Sequence, residues 1–128
     1  MTLDASVVIA ILLSESGALD LVDRILEADV VRIGTPTLVE TAVVLANKRQ
    51  RPSLDELRAL IDELGITVVA FDAQHWEAAA SAFERFGRGR HKAGLNFGDC
   101  MTYATAAVAG DSLLFVGNDF TKTDIRRA

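Results

Sequence analysis

Apolar positions along the chain fall into short continuous runs alternating with longer segments in which they recur three and four residues apart, the periodicities of buried strands and of amphipathic helices. Before Asp4 there is room for a strand of only two or three residues, and the apolar run that follows, through Leu13, is long enough for a buried helix. Ser16 to Ala28 reads as a second helix, with Ala18, Leu19, Leu21, Val22, Ile25 and Leu26 at helical spacing, and Val30 to Ile33 as a short strand. Thr35-Pro36 then opens a helix to about Asn47, with Thr as N-cap and Pro at the first helical position. Ser53-Leu54-Asp55-Glu56 has the form of a capping box for a helix ending at Gly65, and Ile66 to Phe71 is a strand. Asp72 caps the next helix, whose core stripe is expected to be Trp76, Ala79, Ala80 and Phe83. After a basic, Gly-containing loop, Asn96 caps an Ala-rich helix through Ala109, and the strand Leu113 to Val116 runs directly into the turn Gly117-Asn118-Asp119-Phe120.

Strands alternating with helices imply right-handed crossovers, so the expected fold class is α/β: a parallel sheet covered by helices on both faces. No repeat, low-complexity tract or Pro/Gly-rich linker interrupts the pattern, which predicts one domain over residues 1–128. Half of the residues are apolar, enough for a sizeable core. The longest apolar run, Val7 to Leu13, is far short of the ~20 residues that span a bilayer, and no basic segment precedes it. The expectation is a soluble cytoplasmic protein with no membrane association.

Charge and metal-ligating residues narrow the chemistry. The single Cys100 excludes an internal disulfide, and His75 and His91 stand far apart, so there is no spacing for structural zinc. Any metal has to be held by oxygen. A net charge of −5 argues against diffuse binding of nucleic acid, yet Arg85, Arg88, Arg90, His91 and Lys92 crowd into eight residues. That loop is either a solvated turn or a local phosphate-contacting arm.

Four acids fall at element boundaries or on apolar faces. Asp4 ends the first strand, where ligands bind in open α/β sheets, and is either a helix N-cap or part of a site. Asp99, at the third position of its helix, favours the positive end of the helix dipole, and Asp119 lies just beyond the last strand. Glu40 has Val43 and Val44 three and four positions on and no Lys or Arg to pair with, so it is either exposed or held against a packed face by a cation opposite. Converging carboxylates without His or Cys suit Mg²⁺, with Mn²⁺ as a substitute, because such an ion removes their mutual repulsion. An ion of this kind activates water and neutralises phosphoryl oxygens, which points to a phosphodiester substrate.

The segments Leu3-Asp4-Ala5-Ser6, Thr37-Leu38-Val39-Glu40, the sixteen residues from Arg85 to Cys100, and Leu114 to Phe120 with Thr123-Asp124-Ile125 carry a resemblance over essentially the whole chain. The sequence resembles PIN-domain proteins and, within them, the VapC-type ribonuclease toxins of toxin–antitoxin pairs. The Arg85–Cys100 stretch is the most specific part of the likeness. The resemblance implies a three-layer α/β/α sandwich in which Asp4, Glu40, Asp99 and Asp119 form the Mg²⁺ site of an endoribonuclease. Asp4 and Asp99 match the positions of metal ligands, Glu40 and Asp119 complete the pocket or act through water, and Ser6 adds a hydroxyl. Asn118 stands where the subgroup often has an acid, which leaves either Asp119 or Asp124 to complete the site. The likeness further implies a cognate antitoxin and a homodimer that aligns two sites along one RNA, with Arg85, Arg88, Arg90 and Lys92 contacting RNA phosphates. The competing readings are a metal-dependent phosphohydrolase acting on a small substrate, and a non-catalytic interaction module whose acids merely cap helices. Against an aspartyl-phosphate enzyme stands Ser6, where a second acid is wanted.

Overall fold

A computed structural model describes residues 1–128. The chain runs β1 (Thr2–Leu3), α1 (Ala5–Leu12), α2 (Ala18–Leu26), β2 (Arg32–Gly34), α3 (Thr35–Arg49), α4 (Leu54–Glu63), β3 (Thr67–Val69), α5 (Ala73–Phe86), α6 (Phe97–Ala109) and β4 (Leu113–Leu114). All strand pairs are parallel, in the order β3-β2-β1-β4. From β1 the chain adds strands on one side and then returns to place β4 on the other. The reversal therefore lies between β1 and β4, at the point where open α/β sheets open a crevice beyond their carboxyl ends. Thr2 registers with Arg32 on one side and with Leu113 on the other. Beyond β4 the C-terminal residues return along the edge, with Leu113 N–H donating to the Arg126 carbonyl (2.8 Å) and Ala128 N–H to that of Leu113 (2.9 Å).

Adjacent residues of a strand face opposite sides of the sheet, so Leu113 and Leu114 enter different cores. Leu113 packs with Ala79, Ala82, Cys100, Tyr103, Ala104, Phe115 and Phe120 beneath α5 and α6, and Leu114 with Leu3, Val7, Val8, Ile25, Ile33 and Leu57 beneath α1, α2 and α4. This is the three-layer arrangement expected from the alternation of elements. The small side chains of α6 let it lie directly on the sheet. At Gly34, the end of β2, a Cβ would stand 2.5 Å from Thr105 Oγ1, so a larger residue there would push α6 away. Thr37 of α3 and Thr102 of α6 meet through their buried hydroxyls at 3.0 Å.

Three expectations are corrected. Helix α3 begins at Thr35 itself, with Gly34 as its cap residue. The box at Ser53 does not form: Ser53 makes no capping bond, and Glu56 is drawn instead to Arg49 and Arg51, because two guanidinium groups outcompete one backbone N–H. Trp76 and Phe83 are not core residues; Trp76 is 58% exposed, and the buried positions of α5 are His75, Ala79 and Ala82. His75 also completes the α5 cap with Asp72, its Nδ1 lying 2.7 Å from Asp72 Oδ1. Glu40, for which exposure and a packed face both stood open, is half-buried: Val39 and Val43 beside it are exposed, while its carboxylate lies against Gly98 of α6.

Candidate functional site

Because β1 is so short, Asp4 follows directly on its last residue and becomes the N-cap of α1, with extended backbone angles. Both protein donors to Asp4 fall on the same oxygen: Oδ2 accepts from Ser6 N–H (3.0 Å) and from the Ser6 hydroxyl (2.5 Å). The Ser6 oxygen in turn accepts from Val116 N–H at 3.0 Å, which ties the start of α1 to the chain leaving β4.

Helix α6 leads through a short turn into β4, so its first turn lies back at the carboxyl edge of the sheet. There Asn96 and Asp99 form a reciprocal capping box: Asn96 Oδ1 accepts from Asp99 N–H (2.9 Å) and Asp99 Oδ2 from Asn96 N–H (2.8 Å). In both caps one carboxylate oxygen serves the helix terminus and the other, Oδ1, takes no protein donor. The helix that carries Asp99 thus begins at the same edge of the sheet as Asp4.

The remaining acids share this edge. Burial, together with the negative charges of Asp4 and Asp99, raises the Glu40 carboxyl above its ordinary pKa. Burial also raises Asp99, with Asp119 and Asp4 adding to the effect and the Asn96 N–H and Arg88 opposing it. Four carboxylates therefore interact across one small region. Glu40 reaches it by lying flat on Gly98, where a Cβ would stand 2.5 Å from Glu40 Oε2 and 2.8 Å from its Cδ. Sequence reasoning missed Gly98; its signal is a glycine in a helical first turn, where no turn geometry calls for one.

The acids are nevertheless more loosely grouped than one shared coordination sphere requires: no three of them stand close enough together to enclose an ion. Asp4 and Asp99 are oriented by their caps, and Glu40 by its contact with Gly98. This fits a hard cation that keeps several waters and takes one or two carboxylates directly, as Mg²⁺ does, better than one caged wholly by protein. The donor set is all oxygen, two carboxylate oxygens are free of protein donors, and the positive ends of two helices adjoin them.

Asp124 lies elsewhere. Its Oδ1 accepts from the Tyr103 hydroxyl (2.5 Å), its other oxygen pairs with Arg85, and these bonds hold its carboxyl below the usual range. Arg85 is accordingly held by Asp124, with its guanidinium 4.6 Å above the Phe86 ring. Arg88, Arg90 and Lys92 are exposed on the loop leading to α6, Arg90 near the Phe83 ring and Arg88 within electrostatic reach of Asp99.

Comparisons with known proteins bear on the family and the fold. Residues 1–126 match the family model of the PIN domain. The chain is 40% identical to a ribonuclease VapC of Mycolicibacterium smegmatis over 126 residues, covering 98% of this chain and 97% of the relative. It is 42% identical to ribonuclease VapC42 of Mycobacterium tuberculosis, covering 100% and 98%. Among solved structures, Mycobacterium tuberculosis VapC20, described as a sarcin–ricin-loop-cleaving toxin, superposes with a TM-score of 0.77 at 16% identity, covering 99% of this chain and 97% of that one. A toxin–antitoxin complex from Klebsiella pneumoniae superposes with a TM-score of 0.74 at 15% identity, covering 96% and 92%.

Proposed function

The chain belongs to the PIN-domain family and, within it, to the VapC ribonucleases, endoribonuclease toxins; from that premise we propose that Asp4, Glu40, Asp99 and Asp119 are its RNA-cleaving site. The observation that carries this reading is the pair of capping carboxylates, Asp4 and Asp99, each with an oxygen left free at one edge of the sheet. Asp4 and Asp99 would hold a divalent cation, Mg²⁺ with Mn²⁺ able to replace it, with Glu40 and the exposed Asp119 bordering the site. When bound, such a cation neutralises phosphoryl oxygens and makes coordinated water more acidic.

The chain's own groups do the rest. Ser6 fixes the rotamer of Asp4, and Asn96 that of Asp99, so that neither carboxylate has to reorganise when substrate arrives. Glu40, braced on Gly98, accepts a proton at its carboxylate from the attacking nucleophile. Arg88, Arg90 and Lys92 contact RNA phosphates and offset the repulsion between an acidic site and an anionic substrate. The protein acts beside a cognate antitoxin that inhibits it, and as a homodimer that aligns two sites along one RNA.

The test is cleavage of a structured RNA by purified protein, with Mg²⁺ and with EDTA. Asp4→Asn and Asp99→Asn should each abolish cleavage while leaving the fold intact, because the Asn amide oxygen can still accept the bonds that Asp4 Oδ2 and Asp99 Oδ2 accept at the two helix starts. Unchanged cleavage in both variants removes the proposed site, and undiminished cleavage in EDTA removes the metal.

A further inference from the structure

Phe97 is the first residue of α6, two positions before Asp99, and it is 79% exposed. Single exposed apolar residues need no explanation, but this one has an unusual setting. The apolar contact that normally fixes the entry of a helix joins the residue before the cap to the fourth helical residue. Here those residues are Leu95 and Cys100, both buried in the same core cluster. The start of α6 is thus already anchored, and Phe97 is left without a part in folding.

Its ring, with Met101, lines two grooves. One, of about 550 Å³, is lined by Pro36, Val39, Glu40, Phe97, Gly98 and Met101, so it shares Glu40 and Gly98 with the candidate site. The other, of about 540 Å³, is wholly apolar and contains Trp76 and Phe83. The first groove is apolar along its walls, has a carboxylate at one end, and adjoins the edge where the scissile phosphate would lie. Arg88, within electrostatic reach of Asp99, supplies positive charge on the loop beside it. A group that enters it while its own phosphate lies at the acids needs apolar surface to match the lining and a short link to that phosphate. An unpaired nucleobase meets both, and its flat face suits the exposed Phe97 ring, since sequence-tolerant stacking of bases on exposed aromatic rings is a general mode of RNA recognition.

We propose that Phe97 is a stacking platform for an unpaired base next to the cleaved phosphodiester, and so a substrate-positioning residue. This rests on the reading of the acidic edge as a ribonuclease site.

The test uses a single-stranded octanucleotide RNA carrying the fluorescent adenine analogue 2-aminopurine at each position in turn, bound to the full-length protein with Ca²⁺ in place of Mg²⁺. Stacking quenches the analogue. Wild type should quench it strongly at one position; Phe97→Leu should lose that quenching and on the order of 10- to 100-fold in affinity, whereas Phe97→Trp should retain both. Phe97→Leu should also keep its melting temperature, since the side chain is exposed. Cleavage by wild type, with no position-specific quenching or with quenching indifferent to Phe97→Leu, overturns the proposal. So does a change of oligomeric state in Phe97→Leu, measured by light scattering, because the ring is then an interface between two copies. Quenching without any cleavage in Mg²⁺ supports the platform and sinks the nuclease reading instead.

Discussion

Gly98→Ala separates the site from the fold. The added Cβ would lie 2.5 Å from Glu40 Oε2 and 2.8 Å from Oε1 and Cδ, where ordinary contact begins at 3.4 Å, so the carboxylate must retreat by about 1 Å. The obstructing atoms are the far end of a flexible side chain, and Gly98 occupies a helical position in α6, so the backbone has no reason to move. Alanine is in fact the better helix former there, by roughly 0.5–1 kcal/mol. The variant should therefore melt at the same temperature or a few degrees higher. Displacement of a proton-accepting carboxylate by about 1 Å should nonetheless lower cleavage on the order of 100-fold. The assay pairs a thermal melt with the initial rate of RNA cleavage at saturating Mg²⁺. Loss of both stability and activity would show that Gly98 is required by the fold, and full activity in a stable variant would show that Glu40 takes no part in the reaction.

Other expectations follow from the same contacts. Glu40 and Asp99 have raised folded-state pKa values, so above the ordinary carboxylate range the folded protein holds more protons than the unfolded chain. Metal-free protein should therefore gain stability as pH falls from neutral through those raised values, and saturating Mg²⁺ should flatten the profile; identical melting curves with Mg²⁺ and EDTA would refute binding at these acids. Asp72 and Asp124 carry depressed values, so their contribution is present above the ordinary range and lost only as pH falls further. Ser6→Ala removes a 2.5 Å bond to Asp4 and the acceptor for Val116 N–H; a stability loss of about 1–2 kcal/mol and slower cleavage are expected, checked by denaturant melts and rate measurement. Arg88→Gln should weaken RNA binding and reduce the slope of log affinity against log salt by about one, whereas Arg85→Gln should chiefly lower the melting temperature, since Arg85 is committed to Asp124. Equal salt slopes for the two variants would remove this distinction.

How much of this could be read in the sequence depended on whether a signal was local. The alternation of elements, the Asn96 and Asp72 caps and the small residues of α6 all act within a few residues, and each was legible. The environments of Trp76, Phe83 and Glu56 were not, because helical spacing marks a stripe without saying what lies opposite it. In α5 the stripe carrying Trp76 faces a groove, and the face one residue away is buried. Glu56 answered to two arginines outside its helix. Asp124 likewise looked like a site residue until the tertiary fold brought Tyr103 and Arg85 to it.

The more instructive case is Asp4 and Asp99, for which helix cap and metal ligand stood as competing explanations. The structure shows that they need not compete. A carboxylate has two oxygens, and a cap requires one; when Oδ2 is held by the helix terminus, Oδ1 is left at a fixed angle, pointing where the fold has aimed it. Capping then supplies preorganisation, and the helix dipole offsets part of the cost of gathering like charges. Two short strands make this possible. Because β1 and β4 are each two residues long, the helix start after one and the turn after the other lie at the same edge, and Val116 N–H on the Ser6 hydroxyl joins them. The acids thus meet through the length and parallel register of β1 and β4, quantities a sequence reveals least directly.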